Sequence, residues 1–249
     1  MSAIHVPTTP PRGKASFGHA LPGHDLSTLT GVLIVLEGSD ASGRTTQINM
    51  LSEWLEQKGY AVARTGLTRS VLVGEALDQA KLGNVLSPRT MSLFYATDFY
   101  DQLENTIVPA LRAGYIVLAD RYIFTLMARD LVRGANLEWL ESLYAKAIVP
   151  DAVMLLNATP ANLVDRTLNA HHELDYWESG MDIGLSRDWY DSFVKYQHRV
   201  RAEFLRLQRK YHFDTINANH GIKAIQKELR GRIEMVLERA YHHSPTRSA

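Results

Sequence analysis

The chain of 249 residues contains no cysteine. That excludes disulfide bonds, cysteine-ligated zinc and thiol catalysis, and it fits a reducing compartment such as the cytoplasm. Excess charge of either sign is also missing. The 27 Lys and Arg residues balance 27 Asp and Glu residues, so whole-chain charge offers no attraction to nucleic acid or to an anionic membrane surface. No apolar run approaches the roughly 20 residues needed to span a bilayer. What is present is 45% hydrophobic and 22% charged, enough for one large domain with a substantial core.

Residues 1–28 are rich in Pro, Gly, His and small side chains and lack periodicity, so a disordered N-terminal tail is expected there. They lack the apolar core of a secretory signal. Their few acids would suit a transit peptide, but their prolines argue against an amphipathic helix. Residues 242–249 read as a second tail, leaving 29–241 as the folded domain. Within it, β-rich apolar runs at 32–37, 61–65, 115–120, 151–157 and 213–217 alternate with helical patterns. The helices are expected over 46–58, 71–81, 89–112, 187–211 and 222–241. In the first, Ile48, Leu51 and Leu55 share one face and Gly59 provides the stop. Strands alternating with helices imply an α/β fold, a parallel sheet covered on both faces, with ligands at the carboxyl ends of the strands. Periodicity fails over 169–186, which reads as a long loop or lid. His171 and His172 within it are expected to be exposed rather than metal-bound.

The run Gly38-Ser39-Asp40-Ala41-Ser42-Gly43-Arg44-Thr45 has the spacing of a phosphate-binding loop, Gly-x-x-x-x-Gly-Lys-[Ser/Thr], with arginine in the lysine position. A strand feeds it and a helix leaves it at Thr46, as the motif requires. Gly38 and Gly43 let the backbone curl so that successive N–H groups face an anion, and the positive end of the helix adds to the field. Thr45 takes the hydroxyl position that would hold Mg²⁺. Arginine offers a planar fork where lysine offers a compact charge, so two readings stay open: Arg44 grips the donor phosphates, or the loop is weakened. At the end of the third strand, Asp120 is placed to hold Mg²⁺ and Arg121 to stabilise charge on a transferring phosphoryl group.

These stretches, together with "LTRSVLVGEAL", "LFYATDFYDQLENTIVPALRAGYIVLADRYIF" and "VPDAVMLLNATPANLVDRTL", resemble the thymidylate kinase family of P-loop nucleoside monophosphate kinases, over residues 31–233. The resemblance implies a five-stranded parallel sheet with a lid, homodimerisation, and Mg²⁺-dependent transfer of the γ-phosphoryl group of ATP to dTMP. It also implies roles. The loop from Gly38 to Thr46 would bind ATP, with Arg44, Asp120 and Arg121 catalytic. Asp40 would lie near the acceptor and the metal, Arg69 would grip the acceptor phosphate, and Phe94 would stack on the base. Departures from the family pattern carry their own expectations. No arginine stands within the residues shortly after Phe94, "FYATDFYDQ"; Asp98 and Phe99 occupy that neighbourhood. Arg129 replaces an aromatic residue beside the base and is expected to take over a base contact, unless the acceptor is not dTMP. Tyr176 replaces a lid arginine between Asp175 and Glu178, so Arg44 would compensate, with Arg166 a further donor-side cation. Alternatives are a kinase for another nucleotide or nucleoside, a polyphosphate-using nucleotide kinase, whose phosphate loop "EGSDASGR" is similar to, and a catalytically silent nucleotide-binding module.

Overall fold

The computed structural model describes residues 13–83, 86–171 and 174–242. Its strands are β1 (Val32–Gly38), β2 (Val62–Gly66), β3 (Ile116–Asp120), β4 (Ala152–Asn157) and β5 (Asp214–Asn217). They form one five-stranded sheet in the order β2-β3-β1-β4-β5, and every pairing is parallel. β1 lies in the middle and is buried along its whole length, which is why it reads as a continuous apolar run rather than an alternating one.

The period of two along β1 divides the core. Leu33 and Val35 face one layer, packed against α3 (Pro88–Gln102), α4 (Val108–Arg112), α5 (Ile123–Val132), α6 (Leu137–Leu143) and α8 (Trp189–Tyr211). Val32, Ile34 and Leu36 face the other, under α1 (Arg44–Gln57), α7 (Pro160–His171) and α9 (Ile222–His242). Each fully buried Leu or Ile in these layers stabilises by roughly 1.5–3 kcal/mol. A short α2 (Gly74–Gly83) lies beyond β2. Among the described residues no helix is long and apolar enough to cross a membrane.

Three expectations are corrected. The helix expected over 89–112 is broken by a π-helical turn at Leu103–Ile107, where Val108 N–H donates to Leu103 O. Pro109 follows at once and has no N–H to continue the i→i−4 ladder, so the ladder shifts register ahead of it. The lid begins later than 169, because α7 runs on to His171; His172 lies outside the described residues. Residues 13–28 are not a tail. Lys14 pairs with Asp151, Ser16 bridges Ile148, and Phe17 packs edge-on against Phe124 and Tyr211 with ring centroids 5.8 and 5.6 Å away. Leu21 and Leu26 are buried in the same layer. These anchors are single residues separated by Gly and Pro, so no periodic signal marks them. Residues 1–12 and 243–249 lie outside the described residues.

Candidate active site

The carboxyl ends of β1, β2 and β3 meet at one edge, and the loops leaving them build the site. Each contains a non-glycine residue with positive φ: Ala41 at 57° after β1, Thr68 at 57° after β2 and Arg121 at 75° after β3. Left-handed backbone costs an L-residue on the order of 1 kcal/mol, so its recurrence at one edge marks loops held in shape by their surroundings. Gly38 is obligatory: at φ 148° an added Cβ would lie 2.7 Å from Leu156 O. Gly43, at φ 94°, caps α1.

Arg44 does not extend into solvent. It is 7% exposed, and its guanidinium fills the hollow of the loop. Nη1 donates to Gly38 O, Ser39 O and Ser42 Oγ, while Nε donates to Asp120 Oδ1 at 3.0 Å. Asp120 Oδ2 accepts from Thr45 Oγ1 at 2.8 Å. One carboxylate thus ties the arginine and the hydroxyl of the loop to the end of β3, while Thr45 and Thr46 stay exposed. Arg166 braces the loop from behind, donating to Ser42 O at 3.3 Å and to Ala218 O at 2.7 Å.

Asp40 is the second anchor. Arg129 Nη2 donates to its Oδ1 and Oδ2 at 2.9 and 2.8 Å, and Arg121 Nη2 also donates to Oδ1. Burial, followed by the neighbouring Arg129 cation, pulls the Arg121 guanidinium down to about 9. Asp40 thus holds two cations, and the cleft lined by Arg44, Arg69, Lys81, Arg121 and Arg129 carries more cations than carboxylates, a surplus that an anionic ligand would neutralise. Arg69, exposed after β2, completes a polar cleft with Arg44, Thr45, Asp120, Arg121 and Arg129. This cleft adjoins an apolar pocket walled by Pro88, Met91, Tyr95, Leu126 and Trp177. Lys81, Tyr95 and Arg129 line both.

Three expected site residues sit elsewhere. Phe94 lines neither cavity; Tyr95 does, because Met91 and Tyr95 stand one helical turn apart on the face of α3 that meets the pocket, and Phe94 is about 100° away around the helix. Asp98 is fully buried and does not reach the pocket. Its carboxylate accepts from Thr68 N and Ser70 N, both at 2.9 Å, and from Gln102 Nε2 at 2.9 Å, so it shapes the turn that carries Arg69. Tyr176 packs edge-on against Trp177 and Trp189 instead of entering the cleft. The lid contributes Glu178, whose Oε1 approaches Arg129 Nη2 at 3.6 Å, and Trp177, whose Nε1 donates to Lys81 O at 3.0 Å.

Sequence reasoning missed Lys81 and Tyr95, and it missed Glu37 and Arg133 as organisers. Glu37 is a lone acid in an otherwise apolar strand, which was the available signal. Its carboxylate accepts from Tyr122 N at 2.9 Å, Thr125 N at 3.3 Å and Thr125 Oγ1, fixing the first turn of α5 behind Arg121. Arg133, one turn after Arg129, pins the lid through Asp182 and Tyr196.

The family model described as thymidylate kinase matches residues 36–229, which contain all of these groups except the N-terminal anchors. The chain belongs to the thymidylate kinase family. A probable thymidylate kinase 2 of Saccharolobus solfataricus is 34% identical over 203 residues, 81% of this chain and 95% of the relative. A probable thymidylate kinase of Thermococcus gammatolerans is 30% identical, over 82% of this chain and 96% of the relative. The thymidylate kinase of Caldicellulosiruptor saccharolyticus is 33% identical over 55% of this chain and 70% of its own length. This member of the thymidylate kinase family is therefore a nucleoside monophosphate kinase with a parallel α/β fold. Among its described residues no group of three or more His, Asp or Glu could hold a metal ion by itself.

Proposed function

We propose that the protein transfers the γ-phosphoryl group of ATP to dTMP, giving ADP and dTDP. The observation that carries this reading is the adjacency of the two cavities, which share three lining residues. An arginine-ringed cleft shares Lys81, Tyr95 and Arg129 with an aromatic and apolar pocket beside it, matching the charged and flat ends of a nucleoside monophosphate.

In this mechanism the backbone N–H groups from Gly38 to Thr46 and the start of α1 receive the ATP phosphates. Arg44 supplies the charge of the missing lysine from the base of the loop, and Arg166 holds the loop from the donor side. Arg69 and Arg121 grip the acceptor phosphate, which replaces Asp40 as the partner of Arg121. The acceptor oxygen is already anionic, so positioning and electrostatics suffice without a strong general base. Thr45 and Asp120 form a hard-oxygen pair of the kind Mg²⁺ takes alongside phosphate oxygens, which favours them as its holders. Bound Mg²⁺ supplies charge neutralisation on the phosphates. A cytoplasmic homodimer without nucleic-acid affinity completes the reading; it is supported by the family resemblance and the balanced charge, and sedimentation velocity tests the assembly.

The deciding experiment is an ADP-release assay with ATP and Mg²⁺ against a panel of nucleoside monophosphates, with Arg44→Lys in parallel. Selective turnover of dTMP is expected from the wild type. Turnover of a different acceptor, or none from the wild type beside activity in the lysine variant, would overturn the proposed substrate or the proposed role of Arg44 respectively.

A further inference from the structure

Beside its apolar wall the pocket is lined by the charged residues Lys81, Arg129, Asp130 and Arg133, and the last three differ in how they are engaged. Arg133 donates to Asp182 at 2.7 and 3.1 Å, to the Tyr196 hydroxyl at 2.6 Å and to Trp177 O at 3.1 Å. Tyr196 is thereby engaged as well. Arg129 is held by Asp40. Asp98, the acid expected near the base, is committed to the Arg69 turn. Asp130, on the pocket-facing side of α5, is different. It lines the pocket, and no ion pair within 4.0 Å is formed by it among the described residues. Its polar neighbour is Ser92 of α3, whose single hydroxyl proton is donated to Pro88 O at 3.0 Å. Arg129 and Arg133 act on Asp130 only as nearby charges.

We infer that Asp130 reads the acceptor base, its carboxylate accepting the N3–H of a pyrimidine imide whose ring lies among Met91, Tyr95, Leu126 and Trp177. A half-buried carboxylate with spare acceptor capacity in this pocket offers that capacity to a donor that the ligand brings. Thymine has one such donor on its pairing edge, N3–H, between two carbonyl acceptors. Burial raises the Asp130 carboxyl to about 6, against the neighbouring Ser92 and arginines, so at pH 7.5 it is mainly ionised and acts as an acceptor. A buried acceptor also rejects a ligand that lacks the donor, because that pairing leaves the carboxylate desolvated and unbonded.

The inference rests on dTMP as the acceptor, and the test separates the two. Binding of dTMP and of its N3-methyl analogue is measured by titration calorimetry at pH 7.5, and turnover of both is followed with ATP and Mg²⁺. Wild type is expected to bind the N3-methyl analogue at least about 100-fold more weakly. In Asp130→Ala, dTMP binding weakens by about 10- to 100-fold and the discrimination falls below about threefold, because the acceptor is gone and the methyl group has room. Asp130→Asn keeps an acceptor oxygen and restores the discrimination. A merely structural role for Asp130 would weaken both ligands equally, and an unchanged ratio in Asp130→Ala overturns the inference. Equal binding of the two ligands by wild type overturns it without any variant. Discrimination in binding without turnover would support the base contact and refute the kinase reading.

Discussion

Glu37→Gln tests how the site is supported. Glu37 is fully buried at the end of β1, and its carboxyl holds the start of α5 through Tyr122 N, Thr125 N and Thr125 Oγ1. Burial raises it from 4.5 to about 7, outweighing the hydrogen bonds that favour the charged form. A carboxyl whose folded value is raised contributes stability fully below about pH 4.5, and that stability is lost as pH rises to about 7. The shift is worth about 3 kcal/mol in total, and the part falling between pH 5 and 8 is about 2.5 kcal/mol. Glutamine keeps an acceptor oxygen for the backbone N–H groups and does not titrate. Urea unfolding of wild type and variant, followed by circular dichroism, should therefore show wild type losing about 2.5 kcal/mol relative to Glu37→Gln between pH 5 and 8. Taking the difference between the two proteins cancels the other titrating groups. A difference that stays constant within about 0.5 kcal/mol over that range would refute the reasoning, since Glu37 would then be as well solvated folded as unfolded.

Other perturbations reach the remaining anchors. Arg121→Ala should lower kcat by on the order of 10³-fold with circular dichroism unchanged, and near-normal turnover would remove Arg121 from the mechanism. Arg44→Ala leaves Asp120 without its buried cation, so ligand-free stability in urea should fall by about 3 kcal/mol as well as ATP affinity; an unchanged midpoint would mean that the ion pair is not formed in solution. Asp98→Ala releases the Thr68 and Ser70 N–H groups and with them the placement of Arg69. Its KM for dTMP should rise at least about tenfold while its KM for ATP changes little, and equal changes in both would contradict the assignment.

The sheet and the donor loop were legible because both are written in local periodicity. Continuous apolar runs mark strands buried on two faces, and the glycine spacing from Gly38 to Gly43 marks a backbone that must curl. The alternation of strands and helices determined a parallel α/β fold, and it placed Asp120 and Arg121 at the loop's edge of the sheet. Tertiary structure alone decided where side chains from distant segments converge. The orientation of α3 turned Tyr95 into the pocket and Phe94 away from it, a difference of one residue that sequence spacing does not resolve. The turn after β2 drew Asp98 away from the base. The folding of residues 13–28 onto Asp151, Phe124 and Tyr211 depends on contacts more than 90 residues apart, so no local pattern announces it. Arg44 is named by the sequence, but its place in the hollow of its own loop follows from Asp120, which is 76 residues away in the chain and 3.0 Å away in the fold.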